Sequence, residues 1–150
     1  MSDNYSLIIK NGSCYIDDKL VRTDLGLSGK KIKKIGKIQL NSSKVFDATN
    51  KVIFPGIIDT QVHFREPGST NAEDLESGSR AAVLGGVTSL FEMPNTNPPT
   101  SNLVEFEKKL QLAKDRMHSN YAFYFGATPE NTKQLTQLKN LKGCCGVKLF

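Results

Sequence analysis

Along residues 5–52 apolar positions come in short runs cut by turn residues. Ser6-Leu7-Ile8-Ile9-Lys10 leads through Asn11-Gly12 into Ser13-Cys14-Tyr15-Ile16. That order predicts two strands joined by a two-residue hairpin, because Asn-Gly accepts the left-handed backbone of such turns. Asp17-Asp18 and Gly29-Lys30 mark further turns, with strand-like segments over 19–27, 31–35 and 44–47. Residues 1–52 are therefore expected to form a β-rich segment.

The period changes after Pro55-Gly56. Gly56-Ile57-Ile58-Asp59 reads as a short apolar strand with a polar end. Thr70 and Glu73 match a capping box, predicting a helix to about Leu84 that stops at Gly85-Gly86. Val87 to Phe91 is a second strand, followed by the proline-rich loop Met93 to Thr100. A second helix is expected from Ser101, where Leu103, Phe106, Leu110, Ala113 and Met117 step by three and four residues into one apolar stripe. Tyr121 to Phe125 is a third strand. Pro129 suits the first turn of a third helix, with Leu135, Leu138 and Leu141 inward. Gly146 to Phe150 begins a fourth strand. Strands alternating with helices predict an α/β fold with a parallel sheet. Neither GxGxxG nor GxxxxGK[ST] occurs, so no nucleotide fingerprint accompanies it. In a (β/α)₈ (TIM) barrel the chemistry stands at the C-terminal ends of strands. The polar clusters Asp59–Arg65, Met93–Thr100 and Lys148 obey that rule.

Composition narrows the class. Hydrophobic residues make up 38% and charged residues 23% of 150, enough apolar material for a core. No stretch is long enough to span a bilayer, and MSDNYSLIIKNG lacks the layout of a secretory signal. Three cysteines, two adjacent (Cys144, Cys145), make no disulfide framework. A cytoplasmic protein without membrane attachment is expected. The net charge of +5 is uneven: residues 1–52 hold 10 basic and 5 acidic side chains, 53–100 hold 2 and 6, and 101–150 hold 8 and 4. Lys30, Lys31, Lys33, Lys34 and Lys37 concentrate the excess. Isoleucines are threaded through them and no aromatic is present to stack a base, so nucleic acid is not an expected partner.

The acidic middle carries the candidate chemistry, in Pro55-Gly56-Ile57-Ile58-Asp59-Thr60-Gln61-Val62-His63-Phe64-Arg65-Glu66-Pro67-Gly68. Alternate residues of a strand share a face, so Asp59, Gln61, His63 and Arg65 can converge at a barrel mouth. An imidazole, an amide and a carboxylate there could begin a metal site, and a guanidinium could grip an anionic group. The same residues also fit a histidine satisfied within the fold and a local Arg65–Glu66 ion pair. Elsewhere the signals are weaker. His118 suits a helix C-terminus. Cys144 and Cys145 face opposite sides of a strand and do not chelate together. Gly85-Gly86 reads as a helix stop.

PGIIDTQVHFREPG, AAVLGGVTSLFEMPNTNPPT and the terminal GVKLF together resemble the dihydroorotases of the amidohydrolase superfamily, over nearly the whole chain. Hydantoinases, dihydropyrimidinases and allantoinases share parts of the pattern, but generally not Phe-Arg-Glu-Pro-Gly with Met-Pro-Asn-Thr. The resemblance implies a β-rich segment of a composite β-sandwich over 1–52 and the N-terminal part of a metal-dependent barrel over 53–150. It also implies zinc-dependent, reversible interconversion of L-dihydroorotate and N-carbamoyl-L-aspartate in pyrimidine biosynthesis. His63 matches a metal-binding histidine, Arg65 and Asn95 the residues that hold the substrate carboxylate, and Asp59 a support of the metal site. Lys148 resembles the lysine that is carboxylated in some members to bridge two Zn²⁺ ions. Gln61 stands where the family usually has histidine and is a weaker, neutral ligand. A site adapted to Gln61, a site with one metal, and a chain without catalysis all remain open.

In the family, metal-bound water attacks the ring amide while a late aspartate moves the proton. That aspartate and two further histidines have no counterpart here. A barrel of this kind takes about 250 residues, so the chain is expected to be a truncated portion, inactive alone. The partner implied is a small-molecule substrate. A homo-oligomer, a non-catalytic structural role beside aspartate transcarbamoylase, and an allantoinase- or hydantoinase-like specificity stand as alternatives.

Overall fold

The computed structural model describes residues 4–39 and 44–150; the first three residues of the stretch read for a secretory signal lie outside them. Two compact units follow one another, residues 1–55 and 56–150.

In the first unit β1 (Leu7–Ile16), β2 (Lys19–Ser28), β3 (Lys31–Ile35) and β4 (Lys44–Asp47) form a sheet in the order β3-β2-β1-β4. The short β5 (Val52–Ile53) also pairs with β1. β1 runs antiparallel to β2 and parallel to β4. The hairpin expected at Asn11-Gly12 is not there. β1 passes straight through both residues with a bulge in its pairing to β2, and the turn falls at Asp17-Asp18, where φ is 46° and 61°. Asn11 does adopt φ 63°, but its amide donates to Asp24 Oδ1 (3.1 Å) and its side chain to Asp47 Oδ1 (3.0 Å), which holds it inside the sheet. Gly12 is needed for closeness, not for turning: a Cβ there would overlap the Ile53 side chain. Tyr5, Ile8 and Ile38 pack together as the buried centre. The lysine-rich β3 is exposed along its whole length on the sheet's edge, where lysines discourage further strand pairing.

The second unit follows the predicted grammar. β6 (Ile57–Val62), β7 (Val87–Glu92), β8 (Asn120–Gly126) and β9 (Cys144–Lys148) form one parallel sheet in sequential order. Helices α1 (Leu75–Leu84) and α2 (Leu103–Ala113) and a 3₁₀ segment (Thr132–Asn140) provide the crossovers. This is an α/β architecture laid out as the opening strands of a (β/α)₈ barrel. Its core joins Phe64, Leu75, Leu90, Phe106, Ala113, Phe123, Phe125 and Leu138.

Three local expectations are corrected. α1 starts at Leu75 rather than near Thr70, because the box is closed by other residues: Asp74 Oδ1 accepts from Ser77 N at 2.7 Å and the Ser77 hydroxyl faces back to Asp74 N. The third helix is a 3₁₀ segment starting after Asn131, whose side chain ties Thr128 N, Ser101 O and Gly126 O instead of capping. Leu103 opens α2 on its exposed side, while Met117 packs against the core from beyond the helix end. No helix among the described residues is long and apolar enough to cross a membrane.

Candidate functional site

The polar residues gather where β6 and β7 end. β6 stops at Val62, and its pairing with β7 is irregular between Asp59 and Val62. His63 and Arg65 therefore stand in the loop after the strand, and Arg65 takes φ 60°. Strand geometry does not carry the expected alternation to Arg65; only residues 63–66 alternate in burial. Phe64 and Glu66 are buried, His63 is half-buried and Arg65 is exposed. Within β6, Asp59 is half-buried and its Oδ1 accepts from Gln61 N at 2.9 Å; Gln61 is exposed.

Residues 63–68 and the loop 93–100 are tied to each other. Met93 N donates to Val62 O and Asn97 N to Pro67 O, both at 3.0 Å. Gly68, at φ 116°, lies so close to Asn97 that a Cβ would meet its backbone. Between these ties His63 Nδ1 and Asn95 Oδ1 stand 2.9 Å apart. With the Asn95 oxygen accepting, Nδ1 is the donor and the Asn95 amide hydrogens stay available for an acceptor. Of the expected substrate-binding pair, Asn95 thus contacts His63, two residues before Arg65, and Arg65 and Asn95 are both exposed.

Glu66 does not pair with its neighbour Arg65. It accepts two bonds from Arg116, Nη1 to Oε1 at 2.8 Å and Nη2 to Oε2 at 3.2 Å, and a third from Leu75 N at 2.9 Å. The hydrogen bonds to Glu66 raise the Arg116 guanidinium further above its ordinary value. Under the second loop, Lys109 is fully buried and paired with buried Glu92. Its Nζ also donates to Met93 O (3.1 Å) and Thr100 Oγ1 (3.4 Å) and lies 5.2 Å from the centre of the Phe123 ring. These two ion pairs were not legible as site features. Lys109 does carry a signal in retrospect: it falls three residues after Phe106 and four before Ala113, inside the apolar stripe.

The other candidates are not drawn into this cluster. Lys148 ends β9 with its Nζ 5.3 Å from the centre of the Phe150 ring. His118 pairs through Nε2 with Glu76 Oε1 on α1 at 2.9 Å. Cys144 and Cys145 are free thiols, and burial pushes the Cys145 thiol up to about 11. A zinc site needs about four well-placed donors. Here His63 Nδ1 is engaged by Asn95, which leaves Nε2 as its one donor atom, and Asp59 Oδ1 is engaged by a backbone amide, which leaves Oδ2. Among the described residues no three of His, Cys, Asp or Glu gather as a metal-holding group. The residues present do not by themselves fit a zinc ion.

Comparison with known proteins is consistent across sequence and structure. The family model described as Amidohydrolase family matches residues 52–144. A dihydroorotase of Lactobacillus gasseri is 37% identical over 131 residues, covering 87% of this chain and 30% of that protein. An allantoinase of Desulfitobacterium hafniense (strain Y51) is 37% identical over 149 residues, covering 98% of this chain and 33% of that protein. Among solved structures, L-hydantoinase (dihydropyrimidinase) from Arthrobacter aurescens superposes with a TM-score of 0.88 at 28% identity, over 96% of this chain and 32% of that one. The chain thus spans 30–33% of the lengths of these three proteins.

Proposed function

The chain belongs to the amidohydrolase family, and from that membership we propose that it contributes to a hydrolase of cyclic amides whose substrate carries a carboxylate, namely dihydroorotase. The observation that supports this most is the junction of the two loops after β6 and β7, where His63 meets Asn95 and Arg65 lies two residues from His63. A planar guanidinium and a carboxamide with free N–H groups can fix a carboxylate's orientation, because both offer donors in one plane. Hydantoin and allantoin bear no carboxylate, so such a pair would be idle in enzymes for those rings. In this proposal Arg65 and Asn95 bind the carboxylate of dihydroorotate or carbamoyl aspartate. His63 orients the Asn95 amide, and Asp59 stiffens the end of β6 through Gln61 N. Zn²⁺ is the cofactor of the whole protein, with His63, Gln61 and Lys148 as contributors and other donors completing the set. Residues 1–52 serve as the β-rich segment of a composite β-sandwich, and residues 53–150 as the first part of the barrel.

One observation favours a second possibility. Gln61 is a neutral and weak metal ligand where the family usually has histidine, as suits a non-catalytic relative that acts as a structural partner of aspartate transcarbamoylase. Equilibrium binding of dihydroorotate to the protein and to Arg65→Ala separates the readings. Loss of a charge-assisted pair of about 1.5–3 kcal/mol should weaken binding by roughly 10- to 150-fold. Unchanged dihydroorotate affinity in Arg65→Ala removes the carboxylate reading. Binding of allantoin in its place, indifferent to Arg65, would point to an allantoinase-like specificity.

A further inference from the structure

The element beneath both loops is α2. Lys109, and Arg116 seven residues later just past the helix end, reach different loops from one length of chain. Lys109 holds the loop 93–100 at its two ends, through Met93 O and Thr100 Oγ1. Arg116 holds the loop 63–68 through the buried Glu66, and is itself fixed by a bond to Leu112 O at 3.0 Å. We propose that Lys109 and Arg116 are positioning residues, through which α2 sets the mutual placement of the Arg65 and Asn95 loops.

The chemistry of the loops explains why such donors are needed. Pro94, Pro98 and Pro99 have no N–H, so the loop 93–100 cannot tie itself down with a full set of its own amides. Thr96 N and Thr100 N serve Pro94 O, and the Thr96 hydroxyl serves Pro98 O. Met93 O at the loop's start takes its donor from outside, and one buried ammonium reaches both that carbonyl and the Thr100 hydroxyl. An apolar side chain at 109 would suit the core as well and would avoid the cost of burying a charge. It could not donate to Met93 O. Glu92, the last residue of β7, supplies the opposite charge that makes the burial tolerable. Burial raises the Glu92 carboxyl to about 7 and lowers the Lys109 ammonium, while their ion pair opposes both shifts. Arg116 does for the first loop what Lys109 does for the second, with a bidentate grip that fixes direction as well as distance.

The functional importance of this placement rests on the proposed role of Arg65 and Asn95; the placement itself does not, and the experiment keeps the two apart. Amide hydrogen exchange is measured on the full chain and on two variants. Glu92→Gln/Lys109→Met removes both buried charges at nearly constant volume, and Arg116→Gln releases Glu66. In the double variant the amides of Thr96, Asn97 and Thr100 should exchange at least about tenfold faster. In Arg116→Gln the same should hold for Ser69, whose amide is bonded to Arg65 O. In both, the strand amides of Phe123 and Phe125 should stay within about twofold, since local opening is independent of global unfolding. Unchanged loop exchange overturns the assignment. Equal acceleration in β8, or a double variant that does not fold, also overturns it by making the pair a general core element. Should Arg65→Ala leave dihydroorotate binding intact while the loops loosen as described, the substrate proposal fails and the positioning assignment stands.

Discussion

Asp24 shows how much a single carboxylate can fix. It is 8% exposed, in β2, with Oδ1 accepting from Asn11 N at 3.1 Å and Oδ2 from Ile38 N at 3.0 Å. Burial pushes its carboxyl up, but the two amides, with Lys10 and Lys37 nearby, outweigh burial and hold it below the usual carboxylate value. A folded value below the unfolded one means that the contribution is complete above about pH 4 and is lost as pH falls through the folded value. Melting curves of the protein between about pH 2 and 6 should therefore fall more steeply than those of Asp24→Asn, which keeps an acceptor without the charge. Parallel curves would contradict this. Nothing in the local sequence marks Asp24 as special, because its partners lie 13 and 14 residues away. The candidate site is similar. Asp59, His63 and Arg65 stand out by type and spacing, but the 32-residue separation of His63 and Asn95 hides their contact.

At the level of elements, periodicity was informative and capping less so. The stripe on α2 is real from Phe106 to Ala113, but Lys109 lies in it because a tertiary partner overrides its polarity. Thr70 and Glu73 had the composition of a capping box, yet Glu66 takes Leu75 N and Asp74 closes the box with Ser77, so the helix begins later. Asn11-Gly12 likewise met the rule for a turn, but Gly12 is required by the approach of Ile53. Gly78 in α1 follows the same logic: a Cβ there would overlap the buried Phe64 ring, between His63 and Arg65. Gly78→Ala gains about 1 kcal/mol of helix propensity but overpacks the core by about 1–3 kcal/mol. The net expectation is a loss of up to about 2 kcal/mol in denaturant unfolding of the second unit, with the 63–68 amides losing protection first. A variant at least as stable as the parent would show that Phe64 moves aside freely.

For the whole molecule, the βαβ order was legible because each strand and helix announces itself locally and parallel neighbours follow in sequence. What converges at the ends of those strands is set by backbone irregularities and buried pairs, which leave no local signature. The metal question belongs to this scale, since donors to one ion come from strands far apart in sequence. A neutral amide, a lysine and one imidazole are a poor set beside the three or four strong ligands of ordinary zinc centres. The lysine needs carboxylation before it can donate oxygen at all. Of the other titratable donors near the end of β6, Asp59 has one carboxylate oxygen on Gln61 N. The 150-residue chain, loaded with Zn²⁺ and desalted, is accordingly expected to keep far less than one equivalent. Its melting temperature should not rise with added Zn²⁺, because binding to the folded state stabilises in proportion to RT ln(1 + [L]/Kd) and Kd is expected to be weak. Stoichiometric retention with a melting temperature raised by several degrees would refute the argument about the donor set. Its abolition in His63→Ala would then identify the imidazole as the anchoring ligand, and would make the loop after β6 a metal loop as well as a substrate loop.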